Sequence, residues 1–143
     1  MTGDVGNPKL LDVLSRIADE LVARLGADAC AISRVIGDVL ILVMERIPAG
    51  GSLQMGQGYL VPDFPQTAEV LETGEPRALT LDDADLDAAE ASVLRAHGFG
   101  SLLMLTFELN GAMWGLVEVY RRERRAFTEA DLRLASDLIH VTT

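Results

Sequence analysis

At 143 residues, with 49% hydrophobic residues, a mean hydropathy of +0.23 and a single cysteine (Cys30), the chain is sized for one domain. It has enough apolar content for a core of its own and cannot form an internal disulfide. Twenty-two acidic against twelve basic residues leave a net charge of −10, which argues against nucleic acid as a partner, because neutralising phosphates needs clustered cations. No apolar run approaches the ~20 residues of a membrane span, no basic-then-apolar start marks a secretory signal, and one thiol suits a reducing compartment, so the expected location is the cytoplasm.

Residues 1–8 hold Gly3, Gly6, Asn7 and Pro8 and read as a flexible leader; residues 9–143 read as a single domain. From Lys9 the pattern is helical, because Leu10, Leu14, Ile17, Leu21 and Leu25 recur at spacings of four and three. Leu11, Ala18 and Val22 widen that stripe, and Gly26 supplies a C-cap. Ala29–Ile36 and Val39–Arg46 read as two strands joined by Gly37-Asp38, with glycine first as a type II′ turn prefers. The second of these is nearly all apolar, the pattern of a strand covered on both faces.

Residues 48–65 are broken by Pro48, Gly50, Gly51, Gly56, Gly58, Pro62 and Pro65, and so form a long irregular segment of the kind that often carries function. A short helix is expected from Pro65 through Leu71, closed near Gly74, and then a short strand at Arg77–Leu81. Asp82, Asp83, Asp85, Asp87 and Glu90 gather at the start of a helix over Leu86–Ala96, where acids meet the positive end of the helix dipole. Asp83, Asp85 and Asp87 have the spacing that opens a calcium loop, but Ala88 stands where glycine is needed and Leu94 where the closing glutamate belongs.

Ser101–Leu109 and Ala112–Tyr120 flank Asn110-Gly111, the strongest short hairpin signal, since both residues accept positive φ. Arg121, Arg122, Arg124 and Arg125 form the one basic cluster, read as a solvated connection or as a contact to an acidic neighbouring domain or subunit. Thr128 then caps a helix whose core stripe is Leu132, Ala135, Leu138 and Ile139.

No catalytic constellation emerges, so the chain is not read as an enzyme. Two histidines (His97 and His140) with one cysteine are too few for a Cys/His metal cluster. The only lysine is Lys9, so there is no phosphate-binding loop, and no serine sits in a G-x-S-x-G context. Met44, Met55, Met104 and Met113 read as core filler. Glu118 interrupts an apolar strand. Alternation puts it with Trp114, Leu116 and Tyr120 on one face, either as a glutamate in water or paired with arginine, or as a pocket-lining group that orients a ligand.

The order helix, hairpin, irregular middle with short helices, hairpin, helix resembles the GAF family of sensor modules over about residues 9–140. Leu71-Glu72-Thr73-Gly74-Glu75-Pro76, Gly98 through Leu103, Trp114 through Val119 and Phe127-Thr128 are similar to segments of that family. The resemblance implies an α+β fold, an antiparallel β-sheet sandwiched between helices. The N- and C-terminal helices would lie on one face, and the pocket loops and short helices on the other. It further implies a regulatory sensor that binds a small molecule and shifts the population of helix arrangements in a homodimer formed through residues 9–25 and 128–140. Such a module commonly feeds an output domain of a larger protein.

Tyr59, Phe64, Phe99, Ser101 and Glu118 are the candidate pocket residues. The ligand stays unknown. The residue set of cyclic-nucleotide-binding members is not recognisable, and Thr106 stands where the family often has proline. The helix that carries the bilin cysteine in phytochrome relatives has none here, and Cys30 lies in the first strand, which argues against a covalent bilin. One cysteine also cannot support the disulfide turnover of the family's methionine sulfoxide reductases. His97 lies near the axial-histidine position of some haem sensors but reads as the polar end of a helix. The alternative of a different class is a ligand-free dimerisation or protein-interaction domain, kept open by an aromatic content of only 5%.

Overall fold

The computed structural model describes residues 8–51 and 59–142. In chain order the elements are α1 (Pro8–Leu25), β1 (Ala29–Ile36), β2 (Val39–Arg46), β3 (Tyr59–Leu60), a 3₁₀ turn (Val61–Asp63), α2 (Pro65–Thr73), β4 (Arg77–Thr80), α3 (Ala88–His97), β5 (Ser101–Leu109), β6 (Ala112–Arg121) and α4 (Glu129–Thr142). Six strands pair antiparallel in the order β3-β2-β1-β6-β5-β4. The α+β sandwich expected from the sequence is the observed architecture. The leader falls on residues 1–7, and Met55, Gly56 and Gly58 likewise lie outside the described residues; Pro8 is already the first residue of α1.

Two cores form because strand side chains alternate. On one face, α1 lays Leu10, Leu14, Ile17, Leu21 and Leu25 with Ala135 and Ile139 of α4 over Cys30, Leu103, Leu105, Phe107, Val117 and Val119. On the other face, Val70 of α2 and Leu94 of α3 cover Ala31, Leu102, Met104, Leu116 and Tyr120. Burying an apolar side chain of this size contributes about 1.5–3 kcal/mol, so both helix layers are held chiefly by such contacts.

The turns follow local chemistry. Gly37 at φ 58° turns the β1–β2 hairpin, and Asn110 (55°) with Gly111 (80°) turns β5–β6 as a type I′ pair. Thr128 and Asp131 form a reciprocal cap at the start of α4: the Asp131 N–H donates to Thr128 Oγ1 at 3.1 Å, and the Thr128 N–H donates to Asp131 Oδ2 at 2.9 Å.

Three expectations change. Trp114 packs with the α1/α4 core and not with Leu116, because the register of β6 against β5 shifts between Phe107 and Glu108; Glu108 faces Met113 while Phe107 faces Gly115, so Trp114 is the extra, bulged residue. Strand β2 is half-exposed, not covered on both faces. Met113 is 39% exposed and therefore not core filler, whereas Met104 is buried.

Arg121 also leaves the expected solvated cluster. It is buried, its guanidinium donating from Nη2 to the Leu25 carbonyl at 2.6 Å and lying 4.0 Å over the Phe127 ring.

Candidate functional site

On the α2/α3 face a small cavity is lined by Leu40, Tyr59, Phe64, Thr67, Glu90, Val93 and Glu118. Its volume, about 20 Å³, is that of one water molecule. The elements that build it are locked at their ends. The Gln66 N–H donates to Asp87 Oδ2 at 3.2 Å and the Asp87 N–H donates to Gln66 Oε1 at 2.8 Å, so the starts of α2 and α3 hold each other reciprocally. Asp87 also caps α3 by accepting from the Glu90 N–H at 2.7 Å. This clamp fixes the next residues inward, and Thr67 Oγ1 donates to Glu90 Oε1 at 3.1 Å.

Glu118 enters the same cavity from β6, near the middle of the sheet. It is 4% exposed and Glu90 is 2% exposed. Neither belongs to any ion pair among the described residues, and no Lys, Arg or His lines the cavity. Glu118 is thus neither a glutamate in water nor an arginine partner. Burial pushes its carboxyl up to about 8; nearby Glu90 pushes the same way, and a hydrogen bond with Tyr120 opposes. Glu90 is pushed up to about 7, again by burial first, against the bond from Thr67. Both carboxyl groups therefore hold protons well above the ordinary carboxylate range.

The aromatic surroundings are ordered as well. Tyr59 and Phe64 meet edge to face at 5.3 Å, and burial raises the Tyr59 hydroxyl above its usual range. Tyr120 stacks on Phe99 at 4.8 Å.

Of the five expected pocket residues, Tyr59, Phe64 and Glu118 come together here. Phe99 does not line the cavity; it stands behind Tyr120 and faces an outer depression with Arg95, Arg122 and Arg124. Ser101 is also elsewhere, its hydroxyl lying 2.7 Å from the Glu123 carbonyl and 2.9 Å from that of Arg125, where it holds the loop before α4. Sequence reasoning missed Leu40, Thr67, Glu90 and Val93 as lining residues. Glu90 had a usable signal: it shares a helical face with Val93 and the buried Leu94.

The other acids near α3 each have a nearby protein partner. Asp82 pairs with Arg124, Asp85 with Arg77, and Asp83 accepts from the Thr80 N–H. Among the described residues no three His, Cys, Asp or Glu side chains gather as a metal site.

His97 is the last residue of α3, stacked on Phe99, and does not line the cavity. Cys30 is buried beneath α1 on the opposite face of the sheet, and burial raises its thiol well above the ordinary range. A tetrapyrrole does not fit the cavity as shaped, and this thiol does not reach it. A larger groove of about 490 Å³ lies between α4 and the β5–β6 turn, lined in part by Pro76, Thr106, Asn110, Ser136 and His140. No buried charged side chain lines it, so the small cavity, with its buried carboxyl groups, is the stronger site.

The sequence matches the GAF domain family over residues 9–141. The chain is a GAF domain. Its fold is similar to the blue-light-absorbing form of the Thermosynechococcus elongatus PixJ GAF domain (TM-score 0.77, 18% identity, 92% of this chain and 80% of that one). It is also similar to the phycoerythrobilin-bound GAF domain of a cyanobacterial phytochrome (0.76, 21%, 94% and 85%). A third likeness is to the Stigmatella aurantiaca phytochrome photosensory core module (0.72, 14%, 90% and 31%), of which this GAF domain spans less than a third. No curated protein matches by sequence. No helix among the described residues is long and apolar enough to cross a membrane.

Proposed function

We propose that this GAF domain is the sensing part of a cytoplasmic signalling protein, regulatory and not catalytic. A small ligand is taken between the sheet and the α2/α3 layer, and its presence is relayed to α1 and α4, which pair with those of a second copy. The observation that carries this reading is a cavity holding two buried carboxyl groups without a counter-charge, on the sheet face opposite the helix pair. Strand β6 joins the two faces, because Glu118 points to the cavity while its neighbours Val117 and Val119 lie under α1 and α4. A ligand that moves Glu118 biases the packing of those helices by its differential affinity for the two arrangements.

Leu11, Val13, Leu132, Leu134 and Leu138 stay only partly buried on α1 and α4, which supports a further helix contact. Solved structures of this fold that are named as a phycoerythrobilin-bound GAF domain and a photosensory core module support the sensor reading, and the carry-over to this chain is part of the proposal.

The test is native mass spectrometry of freshly purified protein, with a denatured control. A reproducible extra mass lost on denaturation is the expected result. The cavity's small volume favours a second reading, a ligand-free dimerisation domain. A clean dimer mass with nothing bound, and no ligand found by a metabolite screen, would decide for it.

A further inference from the structure

We propose that the cavity between β6, α2 and α3 binds a primary ammonium group, either the free ammonium ion or the end of an aliphatic amine. This rests on the reading of the cavity as the sensing site and narrows the ligand to a chemical class.

Charge is the first argument. Buried carboxylates are ordinarily paired, since an uncompensated one is costly in a low-dielectric interior. Asp82, Asp85 and Asp131 all have arginine partners here, and even these are more exposed than Glu90 and Glu118. Among the described residues Glu90 and Glu118 have a hydroxyl each, Thr67 and Tyr120, and no cation. A proton neutralises the pair in place of a side-chain cation, and a cationic ligand can take that proton's place.

Size and wall chemistry agree. The volume of about 20 Å³ admits a group as large as one water, which an ammonium group matches. An ammonium presents several N–H donors, and the two carboxyl groups supply acceptors from opposite walls. Tyr59 and Phe64 line the same cavity, and aromatic rings attract a cation. A divalent metal finds too few ligating side chains among the described residues. An anion meets two acidic groups.

The charge balance fixes a pH signature. At neutral pH the pair holds protons, so a bound cation displaces one and the net charge of the site is conserved. The titratable groups acting on Glu118 are Glu90 from α3, with Asp87 behind it, and Tyr120 from β6 itself, while Glu118 raises the Tyr59 hydroxyl of β3. Glu118 in turn raises the Cys30 thiol of β1 on the far side of the sheet, while α2 and β2 contribute Thr67 and Leu40 to the cavity wall. None of these supplies a competing cation. Affinity therefore rises with pH, by up to about tenfold per unit for one displaced proton.

The experiment is an NMR titration of isotope-labelled full chain with ammonium chloride and methylammonium chloride at pH 6 and pH 8. Acetamide, sodium formate and sodium chloride serve as controls. The expected result is a saturable shift of the Leu40, Thr67 and Val93 signals by a cation, at least tenfold tighter at pH 8. Glu118→Gln, which keeps the shape and a hydrogen-bonding head, abolishes it while leaving the spectrum folded. Saturation by ammonium alone identifies the free ion; tighter binding of methylammonium identifies an amine end. No saturable shift by either cation at pH 8 overturns the inference. Equal, pH-independent binding of acetamide or formate also overturns it, yet leaves the sensing cavity standing. The sensor reading itself falls only on its own test, the absence of any bound mass or screened ligand.

Discussion

Arg121 donates to the carbonyl oxygen of Leu25 across 96 residues of chain, and this one bond ties the end of β6 to the last turn of α1. The same guanidinium reaches Asp131 of α4 at 3.5 Å and covers Phe127, so a single side chain joins both helices of one face to the sheet. Replacing Arg121 with Met keeps the stem but strands a buried helix-end carbonyl. The expected loss is about 2–4 kcal/mol in urea unfolding. Lysine will not restore it, because an ammonium lacks the planar fork that serves several acceptors at once.

Gly115→Ala tests the close approach of β1 and β6. A Cβ at Gly115 would overlap the Ser33 carbonyl oxygen, which is backbone and cannot swing aside. The strands must shift, at an expected cost of about 1–3 kcal/mol read from thermal unfolding.

Stability should fall as pH rises through neutrality. Glu90 and Glu118 have folded pKa values raised above those of an unfolded chain, so the folded state binds more protons in that interval. Their contribution is complete below the unfolded carboxylate pKa and is lost as pH rises through the folded values of about 7 and about 8. Each proton given up on unfolding corresponds to about 1.4 kcal/mol per pH unit. Urea unfolding from pH 5 to pH 8.5 should show this decline, and Glu118→Gln should flatten it and exceed the parent in stability at pH 8.5.

Thr128→Ala removes one half of the reciprocal cap on α4. The expected loss is about 1 kcal/mol, with faster amide exchange at Asp131, whose N–H loses its acceptor.

Local chemistry was legible in the chain. Gly37 and Asn110-Gly111 dictate their turns by backbone preference alone, and the Leu10-to-Leu25 stripe and the Thr128 cap need no knowledge of distant residues. What escaped depends on partners far along the chain. The face of Trp114 is set by a register shift opposite Phe107 and Glu108, so alternation counted along β6 alone misplaces it. Arg121 looked like one of four solvated arginines, since only the fold brings the Leu25 carbonyl to it. Glu90 matched the rule for acids at a helix start and is one, but Thr67 and Glu118 converge on it from elsewhere. Tyr59 and Phe64, expected at a pocket, do line this cavity, meeting edge to face. Ser101 alternates with Leu102 and so faces away from the cavity, whereas Phe99 shares the cavity's face but stands behind Tyr120.

The displaced Trp114 gives this chain an optical reporter of its own. It is the only tryptophan, buried under the α1/α4 face, edge-on to Phe107 at 5.8 Å and 5.0 Å from the Arg34 guanidinium. Its indole N–H has no hydrogen-bond partner among the described residues. Tryptophan fluorescence therefore comes from the α1/α4 side of the sheet, and the proposed relay predicts that filling the cavity on the other face changes it.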